Sequence, residues 1–266
     1  MLVQITSAGN SRTKLVRKLQ TKKGRIEEGR FVAEGRNLIT EILERGLDVD
    51  FIMVPASLLS ESLSGTADLI ASCIDSPDIT LCAVSDREFE KLTDACEGVG
   101  MLAVVRMKEC GPETVRDLPP DANILILDRI QDPGNLGTIV RTAAAAGYGA
   151  VLAMSGTADL WSPKVLRSTA GMVFAIPFIA VKDHEELRKL TAGRRLVVTS
   201  VEGGRPYYEE NLREGIALVI GNERWGVSPE IMEMADVRVT LPMKGGVESL
   251  NAAMAAAILM YESVRL

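Results

Sequence analysis

The chain has 266 residues, 47% of them apolar and 25% charged, with a formal net charge of −6. That balance predicts a soluble globular protein of one large or two ordinary domains, able to bury a real core. The longest apolar run, Ala252 to Met260, is far short of the roughly 20 residues that span a bilayer, so a cytoplasmic protein is expected. Four cysteines (Cys73, Cys82, Cys96 and Cys110) form no C-x-x-C pair, and with one histidine no common zinc pattern can be assembled. No metal is therefore expected. The lone His184, in "VKDHEELRKL", reads as a solvated helix start capped by Asp183, so catalytic triads and dyads built on histidine are not expected.

Charge is unevenly placed. Residues 1–36 hold nine Arg and Lys against three Glu, an excess of +6 that leaves the remainder at −12. Arg12, Lys14, Lys18, Lys22, Lys23, Arg25 and Arg30 are candidates for a phosphate-contacting patch. The competing reading is a solvated amphipathic helix with Leu15, Val16 and Leu19 turned inward.

In chain order, "SRTKLVRKLQ" predicts a short helix, "RFVAEG" a strand closed by Gly35, and "RNLITEILERG" a helix ending at Gly46. Strand-like "VDFIMV", helical "ADLIASCI" and strand-like "ITLCAV" follow. In "SDREFEKL", Ser85 and Glu88 have capping-box spacing, and "MLAVVRM" closes the unit as a strand. This alternation predicts a compact α/β domain over residues 1–110. The proline-rich, aperiodic "ECGPETVRDLPPDA" places a linker at 111–122. A second α/β domain, 123–266, opens on "NILILD", apolar enough for burial on both faces of a parallel sheet. Its further strands are "GAVLAM", "AIPFIAV", "RLVVTS", "IALVIG" and "VRVTLP".

Ligands of open parallel sheets gather where strands end and helices begin, and three such turns are unusual. In "LDRIQDPGNLGTIVRTAAAAGY", Asn135 and Arg141 lie about 120° apart around a helix, so they can border one pocket without touching; alternatively Asn135 is an N-cap and Arg141 a surface residue. In "LVIGNERWGVSPE", Gly221 allows close backbone approach and Glu223 is presented at the strand end; the plain alternative is a loop, and Ser228 and Pro229 are expected to start a helix. In "LPMKGGVESLN", a Gly-Gly loop opens an Ala-rich helix, which by itself suggests an anion site. Neither a phosphate-binding G-x-x-x-x-G-K-[ST] nor a dinucleotide G-x-G-x-x-G is present. A nucleotide-dependent oxidoreductase is disfavoured, and one shared pocket explains three polar strand ends better than three separate loops.

In these residues the chain resembles a SpoU-type member of the SPOUT superfamily, the RNA ribose 2'-O-methyltransferases related to TrmH. The resemblance rests on "NLGTIVRTAAAAG", "GNERWG" and "LPMKGGVESLN", in that order, with "LWSPKVLRSTAGMVFAIPF" between the first two, and it extends over essentially the whole chain. It implies an α/β fold whose C-terminal domain is an α/β-knot, a deep trefoil knot with a mostly parallel sheet. A smaller ribosomal-protein-like α/β RNA-binding domain precedes it. The resemblance further implies Asn135, Arg141, Glu223, Ser249 and Asn251 as catalytic residues, and Thr199, Ser200, Gly221, Leu241, Met243 and Leu250 as contacts of S-adenosyl-L-methionine. It implies a homodimer formed through the catalytic domain, and RNA as partner of the basic segment. Ribosomal RNA of the 23S type is the leading substrate; tRNA, or a non-catalytic RNA-binding or assembly role, are the alternatives.

Overall fold

The computed structural model describes every residue except 8, 60–68, 72, 74–78, 94–99, 109 and 266. Cys96 and half of the helix expected at 67–74 lie outside the described residues. The chain forms two compact units: Met1–Lys108 together with Asp159–Gly171, and Glu109–Ala158 together with Met172–Leu266. No helix among the described residues is long and apolar enough to cross a membrane.

The first unit is built on a five-stranded sheet in the order β1-β4-β3-β5-β2, with β1 Leu2–Ile5, β2 Arg30–Glu34, β3 Val49–Pro55, β4 Leu81–Val84 and β5 Leu102–Arg106. β1, β4 and β3 run parallel, while β5 is antiparallel to both β3 and β2. Side chains alternate across it with the strand period of two. Val32, Phe51, Met53, Leu102 and Val104 pack with Val16 and Leu19 of helix α1 (Ser11–Leu19) in one core. Phe31 points the other way and stacks on Trp161 with ring centroids 4.8 Å apart. α1 is capped by Asn10, whose side chain accepts from Arg12 N at 2.9 Å. A second helix, α2 (Lys22–Glu28), ends at Gly29 in the left-handed conformation, φ 61°. Helix α3, Arg36–Glu44, buries Leu38, Ile39 and Ile42, as its spacing predicts.

Strand β1 and helix α2 were not read from the sequence, because four residues of mixed polarity and a charged seven-residue segment show no periodicity. The capping box fails: helix α4 (Asp86–Glu90) starts at Ser85 with no side-chain cap bond. Glu88 instead bonds Arg17 at 3.0 Å and Lys91 at 2.6 Å, because cationic partners compete better for a carboxylate than one backbone amide. The segment 159–171, which follows a strand of the second unit in sequence, belongs to the first. Its helix α7 (Pro163–Thr169) lies on β2, and Arg167 donates to the fully buried carboxylate of Glu34.

The second unit is a seven-stranded, all-parallel sheet in the order β10-β12-β9-β11-β6-β7-β8. Its strands are β6 Ile124–Asp128, β7 Ala150–Met154, β8 Phe178–Val181, β9 Arg195–Thr199, β10 Arg205–Pro206, β11 Ile216–Gly221 and β12 Val237–Thr240. Interior strand β6 is buried along its whole length, as "NILILD" predicts. Ile124, Leu152, Val198 and Val219 pack against Leu187 and Leu190 of α8 (His184–Thr191) and Ile231 of α9 (Pro229–Glu233). Asp183 caps α8, accepting from Glu186 N at 2.8 Å. Helices α6 (Pro133–Ala145) and α10 (Ala252–Glu262) pack on each other. The expected linker is not structureless: Pro112–Arg116 form α5, with Pro112 in the first turn and Val115 buried in the second unit's core. Two-residue β10 is too short to leave a pattern in sequence.

The Glu34 carboxylate is fully buried against Arg167, so its loss leaves a partly exposed guanidinium without its partner. Replacing Glu34 with Ala is expected to lower stability in urea unfolding by about 3 kcal/mol, the low end for a buried pair, because Arg167 keeps some access to water.

Candidate active site

The site follows from strand register. β6 and β11 are paired in parallel with Asp128 opposite Gly221, so the loops leaving the two strands emerge side by side. On the β6 side, Asp128 is buried, accepting from Ser228 N at 2.6 Å and from Arg129 Nε at 3.0 Å. Arg129 turns the chain with φ 59°, a conformation rarely held by a residue with a side chain. Its carbonyl accepts from Asn222 Nδ2 at 2.7 Å. On the β11 side, Gly221 is required: a Cβ there would lie 2.3 Å from Val227 N and 2.4 Å from Gly226 C.

Glu223 bridges the two loops. Its carboxylate accepts from the backbone N–H of Gln131 and of Asp132, each at 3.2 Å, and from Asn135 Nδ2 at 3.0 Å. Asn135 is not the N-cap of α6. Asp132 is, accepting from Asn135 N at 2.8 Å, which leaves the Asn135 side chain free to face Glu223. Asn135 Oδ1 in turn accepts from Asn251 Nδ2 at 2.9 Å. Asn251 Oδ1 caps α10, accepting from Ala253 N at 2.9 Å and Met254 N at 3.3 Å. All three turns are thus joined in one directional chain, with each amide donating toward the carboxylate. The amides that would have made an anion site at the α10 N-terminus are occupied by this cap, which removes that reading. Burial alone would raise the Glu223 pKa, but the bonds from Asn135 and the backbone outweigh it and hold the carboxyl below its ordinary 4.5.

A cavity of about 480 Å³ opens over the carboxyl ends of β9, β11 and β12. Thr199, Ser200, Gly221, Leu241, Met243 and Leu250 all line it, together with Glu223, Trp225 and Ser249. The Thr199 hydroxyl is turned to Val219 O at 2.9 Å, so its methyl group and backbone are what remain for a ligand. Ser249 makes no hydrogen bond among the described residues. Arg141 is exposed on α6, is not among the cavity residues, and its side chain makes no hydrogen bond or ion pair among the described residues. Sequence reasoning did not single out Asn222 or Asp128. Asn222 accepts from Arg224 N and Trp225 N at 2.9 and 3.0 Å and shapes the Glu223 loop. An acid closing the otherwise apolar "ILILD" was the available signal for Asp128.

Ser228 occupies the N-cap position of α9 and Pro229 its first turn, but the Ser228 hydroxyl makes no cap bond. In the basic segment one expectation is corrected. Arg25 is 4% exposed, pairs with Asp159 at 2.5 Å and donates to Leu19 O at 2.6 Å, so it braces the first unit and does not face solvent. Arg30 is tied to Asp50, Lys18 to Glu27 and Glu28 at 3.0 and 2.6 Å, and Arg12 lies over the Phe51 ring at 5.7 Å. Lys14, Lys22 and Lys23 are exposed.

A parallel sheet with a cavity and converging polar groups over its strand ends defines an α/β protein that binds its ligand there. Residues 122–261 match the SpoU rRNA Methylase family, and residues 10–103 match the MRM3-like substrate binding domain. The chain belongs to the SpoU rRNA methylase family. It is 36% identical over 259 residues, 97% of this chain and 98% of the relative, to the 23S rRNA (guanosine(2553)-2'-O)-methyltransferase RlmP of Bacillus subtilis. The AdoMet-bound rRNA methyltransferase from Sinorhizobium meliloti superposes with TM-score 0.83 at 28% identity, covering 98% of this chain and 97% of that one. The SpoU methyltransferase AviRb from Streptomyces viridochromogenes, in complex with AdoMet, gives TM-score 0.84 at 27% identity over 96% and 97%.

Because the folded Glu223 pKa lies below 4.5, its contribution to stability is fully present above that pH and is lost as pH falls through the folded value. Acid titration of unfolding midpoints should therefore show a gap between the parent and Glu223→Gln that is constant at neutral pH and shrinks below about pH 4.5.

Proposed function

We propose that the protein transfers a methyl group from S-adenosyl-L-methionine to a ribose 2'-hydroxyl of RNA, with 23S ribosomal RNA as the substrate. The observation that carries this reading is the Asn251–Asn135–Glu223 chain, which joins the three turns beside the cavity in a member of the SpoU family. In this reading the second unit carries the family's trefoil knot and the first unit binds RNA through Lys14, Lys22 and Lys23, with Arg12 and Lys18 beside them.

The cavity fits the donor. Its volume of about 480 Å³ falls within the roughly 300–1,000 Å³ of small-molecule sites. Its walls combine apolar Leu241, Leu250 and Met243 with the bare backbone at Gly221. When bound, the donor supplies an electrophilic methyl group. What the chain must add is placement of the ribose oxygen in line with that carbon, which is positioning chemistry. Glu223, with its acceptors engaged and its pKa depressed, is a weak base. Its part is to lock the two loops, while Asn135 and Asn251 fix its orientation and Ser249 offers a free hydroxyl at the wall. Arg141, a planar guanidinium cation, anchors the substrate phosphate and stabilises the developing alkoxide, with the phosphate sharing the proton.

Arg141 stands apart from the cavity of its own chain, which suits a site completed across a homodimer. The exposed face of α10 offers such an interface: Met254, Ile258 and Tyr261 are exposed at helical spacing, while Ala253, Ala256, Leu259 and Met260 are buried within the unit.

Labelled donor incubated with unmodified rRNA and with tRNA, followed by mapping of 2'-O-methyl groups through resistance to alkaline cleavage, tests the activity. Incorporation into 23S rRNA is expected; donor binding with no methyl transferred to either RNA overturns it. Arg141→Lys should lower turnover by at least about 10²-fold, as for loss of one preorganised oxyanion donor; near-normal turnover counts against bidentate anchoring. Gly221→Ala, which drives a Cβ into the Gly226–Val227 backbone, should weaken donor binding at least ten-fold by calorimetry.

A further inference from the structure

Trp225 is 70% exposed, the most exposed large apolar residue among those described. It is one of two tryptophans in the chain; the other, Trp161, is stacked on Phe31. Exposure of the indole withholds most of the roughly 150–250 Å² that a buried aromatic removes from water, and an unfixed loop would relieve this by folding the ring inward. This loop is fixed. Asn222 and Gly226 exchange two backbone hydrogen bonds of 3.0 Å, and Asn222 Oδ1 holds Trp225 N at 3.0 Å. The buried Asn222 side chain is itself tied to Arg129 O at 2.7 Å. The guanidinium of Arg224 lies 5.1 Å from the indole centroid, so cation and aromatic ring are presented together.

We propose that Trp225, with Arg224 against it, is the platform on which an unstacked base of the RNA substrate rests while its ribose enters the site. This rests on the reading of the cavity as an RNA methyltransferase site. Three features select a nucleobase as the occupant. Trp225 lines the same cavity as Glu223, so a base on the indole keeps its sugar within reach of the reacting centre. Stacking on an aromatic ring or an Arg plane is how single-stranded RNA bases are held, and every base has a face to offer. The charged residues of the lining are Glu202, Glu223 and Glu248 with one cation, Arg224, so beside the indole an uncharged base face is better accommodated than a phosphate. Because π-stacking gives no base identity, the platform positions the nucleotide and leaves sequence choice to other contacts.

The test uses the full chain with purified rRNA fragments and S-adenosyl-L-methionine. Trp225→Ala should raise the KM and the Kd for RNA about ten-fold or more, within the roughly 5- to 150-fold that one lost stacking contact allows. Donor Kd should stay within two-fold, and Trp225→Phe should recover most of the loss. In a Trp161→Phe background the sole remaining tryptophan should be quenched by RNA and not by donor. A fall in donor affinity with RNA affinity unchanged would make the indole a donor wall and overturn the proposal. So would a shift in sedimentation to smaller species, which would make it a subunit contact, or equal behaviour of the Ala variant and the parent. A parent protein that neither binds nor methylates RNA overturns the functional reading itself, whereas methylation that is indifferent to Trp225 overturns this proposal alone.

Discussion

The parallel pairing of β6 with β11 is the constraint on which the site depends. Setting Asp128 against Gly221 brings two loops, separated by about ninety residues of sequence, out of the sheet side by side. Their backbone N–H groups have no strand partners beyond that point and must be satisfied by something. Glu223 does so for Gln131 and Asp132 while also receiving Asn135. Asn222, one residue earlier, ties the same loop to Arg129 O. The site is therefore rigid because it completes the hydrogen-bonding of strand ends.

The same accounting explains the helix at the end of the chain. An Ala-rich helix with no charge in its first turn has little to fix its start, and Asn251 supplies the cap with one end of its amide while giving the other to Asn135. Capping and site assembly are one event, so the geometry of the third turn is coupled to the folding of α10. The small residues of that helix have a use as well: Ala253 and Ala256 are buried beside Leu259 and Met260 and let it pack closely on its neighbours, while Met254, Ile258 and Tyr261 face outward.

In the first unit, electrostatics divides the basic segment into two roles. Arg25 and, in large part, Arg30 are consumed by Asp159 and Asp50, since a guanidinium that is buried needs a carboxylate beside it. Lys14, Lys22 and Lys23 stay in solvent, where an ammonium costs least. A count of charge gives the sign of the segment but not this partition, which depends on partners distant in sequence; Asp159 lies in a segment that follows β7.

Much was legible in the sequence. Apolar runs such as "ILILD" and "IALVIG" determined buried parallel strands, because a strand covered on both faces has no alternation to lose. Three polar strand ends pointed to one pocket, and all six residues expected at the donor line one cavity. What stayed hidden depended on pairing across the fold. Register decided that Asn135 meets Glu223 and Asn251, where spacing alone left it either a pocket residue or a helix cap. Tertiary competition decided that Glu88 serves cations instead of Ser85, and that 159–171 joins the first unit. Periodicity reports which face of an element is buried; which residue stands opposite is set by strands and helices far away in the chain, and only the packed structure contains that.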